Sequence, residues 1–146
     1  MAANSRFAIA VHTLGVLAFV GDKPVSSGLI AKSVGTNPVV IRRIMRKLVK
    51  HGLVEVRMGT GGGSRLTKPP SEISLAAIYE SLEEEDVFEV PALGEDHCCP
   101  IGRSVRPVLE EVLAAAQNEM RAYLGKISLE NVMDSVNAAI VVGKSR

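Results

Sequence analysis

The sequence predicts a mostly α-helical chain with one small β-hairpin wing, a winged helix-turn-helix continued by a long C-terminal dimerisation helix. Three observations predict it. Apolar residues recur at helical spacing through the first 50 residues and again beyond residue 100. Between these blocks, "LVEVRM" and "SRLTK" alternate like strands around the glycine run of "RMGTGGGSRL". The charge is also divided: residues 1–70 hold eleven Lys and Arg against two acids, Asp22 and Glu55, whereas residues 71–146 hold six against fourteen.

Each element has its own signal. Asn4 or Ser5 is placed to cap a first helix bearing Phe7, Val11, Leu14 and Ala18, which Gly21, Asp22 and Pro24 end. Ser26 or Ser27 caps a short second helix, "GLIAKSV", stopped by Gly35. Asn37 and Pro38 open the third, "PVVIRRIMRKLVKH"; a proline is tolerated in a first turn because that N–H has no partner anyway. Its apolar face is Val40, Ile41, Ile44, Met45, Leu48 and Val49, and Gly52 closes it. After the hairpin, Pro69 and Pro70 break the chain before "ISLAAIYESLE", a further helix. "EEEDVFEVPALGEDHCCPIG" has no clear periodicity. A long helix is expected from Ser104 to Lys126, with Val105, Leu109, Val112, Ala116, Met120 and Leu124 on one stripe. Ser128 then caps a short last helix, "LENVMDSVNAAI". The implied organisation is a winged helix-turn-helix over 1–82, an acidic sensor or linker loop over 83–103, and a dimerisation helix with a short terminal helix over 104–146.

Composition limits the function classes. Nearly half of the 146 residues are apolar but only 3% are aromatic, so the core rests on Leu, Ile, Val and Ala. The only cysteines, Cys98 and Cys99, are adjacent, which is no disulfide framework. The apolar stretch after Arg6 is interrupted by His12, lacks a clear small-x-small cleavage site, and at ~15 residues is too short to span a bilayer. A cytoplasmic protein without a membrane partner is expected.

The glycine run does not cradle a nucleotide. A P-loop requires Gly-Lys followed by Ser or Thr, but Gly61, Gly62 and Gly63 lead into Ser64 and Arg65. Gly143-Lys144-Ser145 has Ala138 where the first glycine must stand, and a dinucleotide fingerprint from Gly59 and Gly61 meets Ser64 at its third position. A hairpin tip that bends sharply and presses its backbone on a partner accounts for the run better. The third helix indicates which partner. Arg42, Arg43, Arg46, Lys47 and Lys50 are five cations without an acid among them. A merely solvated face mixes signs and gains ~0.2–0.5 kcal/mol per i,i+4 ion pair. This one repels itself unless phosphates supply the opposite charge. Double-stranded DNA is the expected partner, and no motif speaks for an enzyme.

With these residues in hand, the chain resembles the Rrf-two family of bacterial winged-helix transcription regulators. The resemblance runs through "RFAIAVHTLGVLA", "LIAKSVGTNPVVIRRIMRKLVKHGLVEVRMGTGGGSRL", "ISLAAIYESLE" and the cysteine that precedes a long helix and "ISLENVM". It implies that Val39, Arg42 and Arg43 meet base edges, and that Arg57 or Arg65 reaches the minor groove. It also implies that the long helix pairs with its copy in a homodimer reading a palindromic operator. An amphipathic helix of ~22 residues outside a compact domain independently calls for such a partner. The DNA-binding set is then Lys32, Val39, Arg42, Arg43, Arg46, Lys47, Lys50, Arg57, Gly61, Gly62, Gly63 and Arg65. The expected function is a sequence-specific regulator, a repressor in the leading reading.

One departure bears on the signal. Cluster-binding members carry three spread cysteines, whereas this chain offers Cys98 and Cys99 with His97 beside them and Glu95 and Asp96 close by. Neighbours in an extended chain point to opposite sides, and known ligand spacings leave two or more residues between ligands. No cofactor is therefore expected. Cys99, in "CPIG", matches the family cysteine; it stands near a helix start with Arg103 and Arg106, surroundings that favour a reactive thiolate. Cys98 and Cys99 are the candidate sensor residues. The alternatives are inert packed cysteines, an iron–sulfur sensor of the same family, or a module that docks an acidic protein on its basic face. His12 reads as an ordinary helix residue, His51 as a cation suited to a helix end, and the "EEED" run at 83–86 as a solvated end or a repulsive spacer from DNA.

Overall fold

The structure, a computed structural model, describes residues 3–82, 87–88, 90–91 and 98–144. Side-chain caps set most of the helix starts. Helix α1 spans Ala3–Val20, so that Asn4 and Ser5 both lie in its first turn. Ser26 Oγ accepts the Leu29 N–H at 3.3 Å and starts α2 (Ser27–Val34), which Gly35 ends in the left-handed conformation at φ +78°. Asn37 Oδ1 accepts the Val39 N–H at 2.8 Å and starts α3 (Pro38–Lys50), with Pro38 in the first turn as expected.

The chain reverses at Gly52 and forms β1 (Val54–Arg57), which pairs antiparallel with β2 (Gly63–Leu66). Val54 lies opposite Leu66, Glu55 opposite Arg65, and Arg57 opposite Gly63. The turn between α1 and α2 adds a rung to this hairpin: Val25 and Ser64 bridge antiparallel. A single 3-10 turn at Pro70–Glu72 leads to α4 (Leu75–Ser81), capped by Ser74 Oγ on the Ala77 N–H at 3.0 Å. This is a winged helix-turn-helix: α2 and α3 are the turn-linked pair, and β1 and β2 are the wing.

One core serves all of it. Leu14 and Leu17 of α1, Ile30 of α2, Ile41 and Leu48 of α3, Val54 of β1 and Ile78 of α4 are almost fully enclosed. Each contributes about 1.5–3 kcal/mol of transfer free energy before entropy is charged.

The C-terminal part differs from expectation at two points. Helix α5 (Pro100–Gly125) begins four residues before Ser104, with Cys99 as its N-cap residue and Pro100 in its first turn. Pro107 therefore falls inside the helix, where it has no N–H to give the Arg103 carbonyl. Helix α6 (Leu129–Lys144) is 16 residues long rather than short. It starts with reciprocal capping: Ser128 Oγ accepts the Asn131 N–H at 3.1 Å, and Asn131 Oδ1 accepts the Ser128 N–H at 2.9 Å. Its start is also tied to the N-terminal domain. The Leu129 N–H donates to the Ile73 carbonyl at 2.7 Å, the Leu75 N–H to that of Ile127 at 2.9 Å, and Leu129 is wholly buried in the common core. α6 then packs along α1. Helix α5 packs on α4, with Leu124 against the core, but buries only Gln117 and leaves Ile101, Val105, Val108 and Val112 exposed at spacings of four, three and four.

Candidate nucleic-acid interface

Helix α3 is divided lengthwise. Ile41, Ile44, Met45 and Leu48 face the core, and Arg42, Arg43 and Arg46 face outward. Among the described residues, none of these three arginines has an ion-pair partner. Val39, in the first turn, is 51% exposed and so available to a partner along with them. Lys32 is exposed on the last turn of α2, and Lys50 is exposed at the end of α3. Lys32, Arg42, Arg43, Arg46 and Lys50 are thus all exposed, on two helices that pack against each other.

Lys47 differs from them in being partly buried. Its ammonium group donates to the backbone carbonyl of Leu82, the C-cap of α4, and its stem is partly buried. A cation at a helix C-terminus satisfies an orphan carbonyl and the negative end of the helix dipole. Lys47 lies four residues after Arg43, but tertiary contact turns it to the other task. His51 adds a similar cap on α3, its Nδ1 lying 3.0 Å from the Lys47 carbonyl.

The wing separates its two arginines. Arg65 and Glu55 stand directly across the ladder from each other, and the Arg65 Nε donates to the Glu55 carboxylate. Arg57 lies opposite Gly63, which offers no side chain, and makes no ion pair among the described residues. Arg57 is thus the wing arginine with its charge available, and Glu55 is the residue the sequence reading overlooked.

The glycines divide too. A Cβ on Gly62 would lie 2.1 Å from the Arg57 carbonyl oxygen, and one on Gly63 would lie 2.7 Å from the Val25 carbonyl. A side chain is excluded at Gly62 by the wing's own backbone and at Gly63 by that of Val25, in the turn between α1 and α2. Gly59 and Gly61 have positive φ (+91° and +75°) with nothing near a would-be Cβ, so they shape an open tip. Met58, at the base of that tip, is 87% exposed.

Cys98 and Cys99 are both exposed. Cys99 is extended (φ −77°, ψ 123°), and its carbonyl accepts the Arg103 N–H at 3.2 Å. Arg106 is engaged by Glu110 at 2.6 Å, one turn further on. Glu95, Asp96, His97 and the run 83–86 lie outside the described residues. His12 Nε2 is 3.2 Å from Ser33 Oγ, a tie between α1 and α2. Among the described residues, no helix is long and apolar enough to cross a membrane.

The chain is similar in sequence and in fold to known proteins. The family described as Rrf2, Iron-dependent Transcriptional regulator, matches residues 3–135. YwnA of Bacillus subtilis (strain 168), named as an HTH-type transcriptional regulator, is 35% identical over 131 residues, spanning 90% of this chain and 96% of that one. The HTH-type transcriptional repressor NsrR of Streptomyces coelicolor is 28% identical over 137 residues, spanning 92% and 90% respectively. The solved structure of T. potens IscR shares the fold, with a TM-score of 0.70 at 21% identity over 95% of this chain and 90% of that one.

Proposed function

The chain belongs to the Rrf2 family of DNA-binding transcription regulators, and from that premise we propose that it acts as a cytoplasmic, homodimeric repressor reading a palindromic operator. The observation that carries the reading is the outer face of α3, where Arg42, Arg43 and Arg46 stand without counter-ions beside a wing that offers Arg57. Such a face repels itself in the free protein and is relieved when phosphates displace its counterions. In this reading Val39, Arg42 and Arg43 meet base edges. Arg46, Lys32 and Lys50 serve the phosphates, and Arg57 follows the minor groove with the wing tip at Gly61.

The exposed stripe of α5 supports the dimer, since Ile101, Val105, Val108 and Val112 need a partner that a second copy supplies. Two such heads read half-sites about 34–36 Å apart, one turn of DNA. No catalytic role is assigned to any residue.

Cys98 and Cys99 do not fit an iron–sulfur cluster held within one chain. They are consecutive, and the extended backbone at Cys99 sends neighbouring side chains to opposite sides. Their exposure supports thiol chemistry instead, with Cys99 as the sensor at the start of the dimerisation helix.

Selection of bound sequences from a random DNA library, with protein purified anaerobically and again after mild oxidation, tests these points together. A palindrome enriched only by the reduced protein supports the repressor and the thiol switch. The same palindrome from both keeps the regulator and removes Cys99 as its sensor. No enriched sequence from either sends the basic face to an acidic protein partner.

A further inference from the structure

We propose that Met58 is an apolar wedge that enters the DNA minor groove and sets specificity at a base step the arginines do not read. The inference rests on the DNA-binding reading above and adds a contact of different chemistry to it. A single exposed apolar side chain needs no explanation by itself. The position of this one supplies one.

Met58 is the most exposed of the large apolar residues described, at 87%. The others that approach it sit in company. Ile101 belongs to the α5 stripe, Phe19 lines the groove between α1 and α6, and Val141 lies near the end of α6 beside Ile140 and Val142. Met58 stands on the wing between Arg57 and the tip, two residues beyond the half-exposed Val56. Beyond it the tip is bare: Thr60 is the only side chain between Gly59 and Gly63. The turn is nevertheless defined, because the Gly62 N–H closes on the Gly59 carbonyl at 3.1 Å. Among the described residues, none lies within 4 Å of a would-be Cβ on Gly59 or Gly61.

A minor groove about 6 Å wide admits a bare, narrow turn and excludes a bulky one. Its floor and sugar walls are apolar enough to bury a thioether, and methionine is among the side chains that partly unstack base steps from this groove. Its unbranched stem adapts to an irregular slot. Arg57, one residue away, is drawn by the negative potential of the same groove and holds the tip there. The two neighbours then divide the work. Arg57 supplies attraction that depends on salt, and Met58 supplies contact that depends on how easily the step opens. Pyrimidine–purine steps open most easily, so the preferred sequence under the wing is TA or CA/TG.

The test uses the full-length protein and the operator it selects, with 2-aminopurine placed in turn at the steps beneath the wing. Met58→Ala and Met58→Leu are compared with wild type, and exposure of the side chain leaves both variants with wild-type unfolding curves. Wild type should raise the fluorescence at one pyrimidine–purine step. Met58→Ala should lose that signal and roughly ten-fold in affinity, about one buried apolar side chain net of unstacking. Its salt dependence should not change, and Met58→Leu should retain both signal and affinity. An alanine variant with wild-type fluorescence and affinity overturns the wedge and leaves the DNA-binding reading standing. Failure of the wild-type protein to bind any DNA overturns both.

Discussion

Ser64 and Val25 exchange both of their backbone hydrogen bonds, N–H to carbonyl in each direction at 2.9 Å. The turn before the helix pair is thereby joined to the second strand of the wing, and the position of the wing relative to α2 and α3 follows from it. Gly63, next to Ser64, is what lets the two backbones approach, since a Cβ there would lie 2.7–2.8 Å from Val25 N, C and O. Gly63→Ala should therefore cost at least ~2 kcal/mol, from a disfavoured φ of +150° together with backbone overlap. Gly61→Ala, at φ +75° with open space around it, should cost only about 1 kcal/mol. Urea unfolding of the two variants checks the order. Equal costs would mean the bridge to Val25 does not constrain the wing.

Lys47 and Arg43 are four residues apart on one helix, and they should fail in different assays. Lys47→Met removes a charge-assisted hydrogen bond to Leu82 and leaves the end of α4 without its cap. It should lower stability by about 1–2 kcal/mol while leaving the salt dependence of DNA binding unchanged. Arg43→Ala should leave stability within ~0.5 kcal/mol, as exposed substitutions do. It should relax operator specificity by ~1–3 kcal/mol where it meets a guanine. Thermal melts and competition binding on the same preparations separate the two.

Glu55 restrains the wing's second arginine, so its removal should strengthen binding. Glu55→Gln breaks a half-exposed ion pair worth at most ~1 kcal/mol to the fold and frees Arg65 toward phosphate. Affinity for any DNA should rise, and the slope of log K against log salt should steepen by about one phosphate contact. An unchanged slope would show that Arg65 does not reach the duplex even when released.

How much of this was legible in the sequence depends on the range of the forces involved. Helix α3 was readable almost residue by residue, because its cap, its proline, its apolar period and the single sign of its charges are all local signals. The wing was readable from glycine and alternation. The direction of each cation was not, because that is decided by partners distant in sequence: the Leu82 carbonyl takes Lys47, and strand register hands Arg65 to Glu55. The start of α5 was misplaced for a related reason. A start at Ser104 puts Pro107 in a first turn, where proline is welcome; the structure instead uses Pro100 there and tolerates Pro107 inside. Ser128 announced α6, but the tie of Leu129 to Ile73 and the packing of α6 on α1 are long-range contacts that periodicity does not report.

The apolar stripe on α5 sets the last expectation. Val108 and Val112 are 60% and 57% exposed in the single chain, one turn apart in the run that begins at Ile101. Val108→Asp puts a carboxylate into any interface built on that run, where an unpaired buried charge costs several kcal/mol. In the isolated chain the same aspartate is solvated and should change stability by less than ~0.5 kcal/mol. Sedimentation equilibrium at micromolar concentration should therefore find wild type dimeric and Val108→Asp monomeric, with superimposable unfolding curves once wild type is dilute enough to dissociate. Loss of the second head should reduce affinity for the full palindrome by about 100-fold, while affinity for an isolated half-site stays the same. A dimeric Val108→Asp variant would move the subunit contact to another surface, and the groove between α1 and α6, lined by Phe7, Val11, Phe19, Val136 and Ile140, would be the next place to substitute.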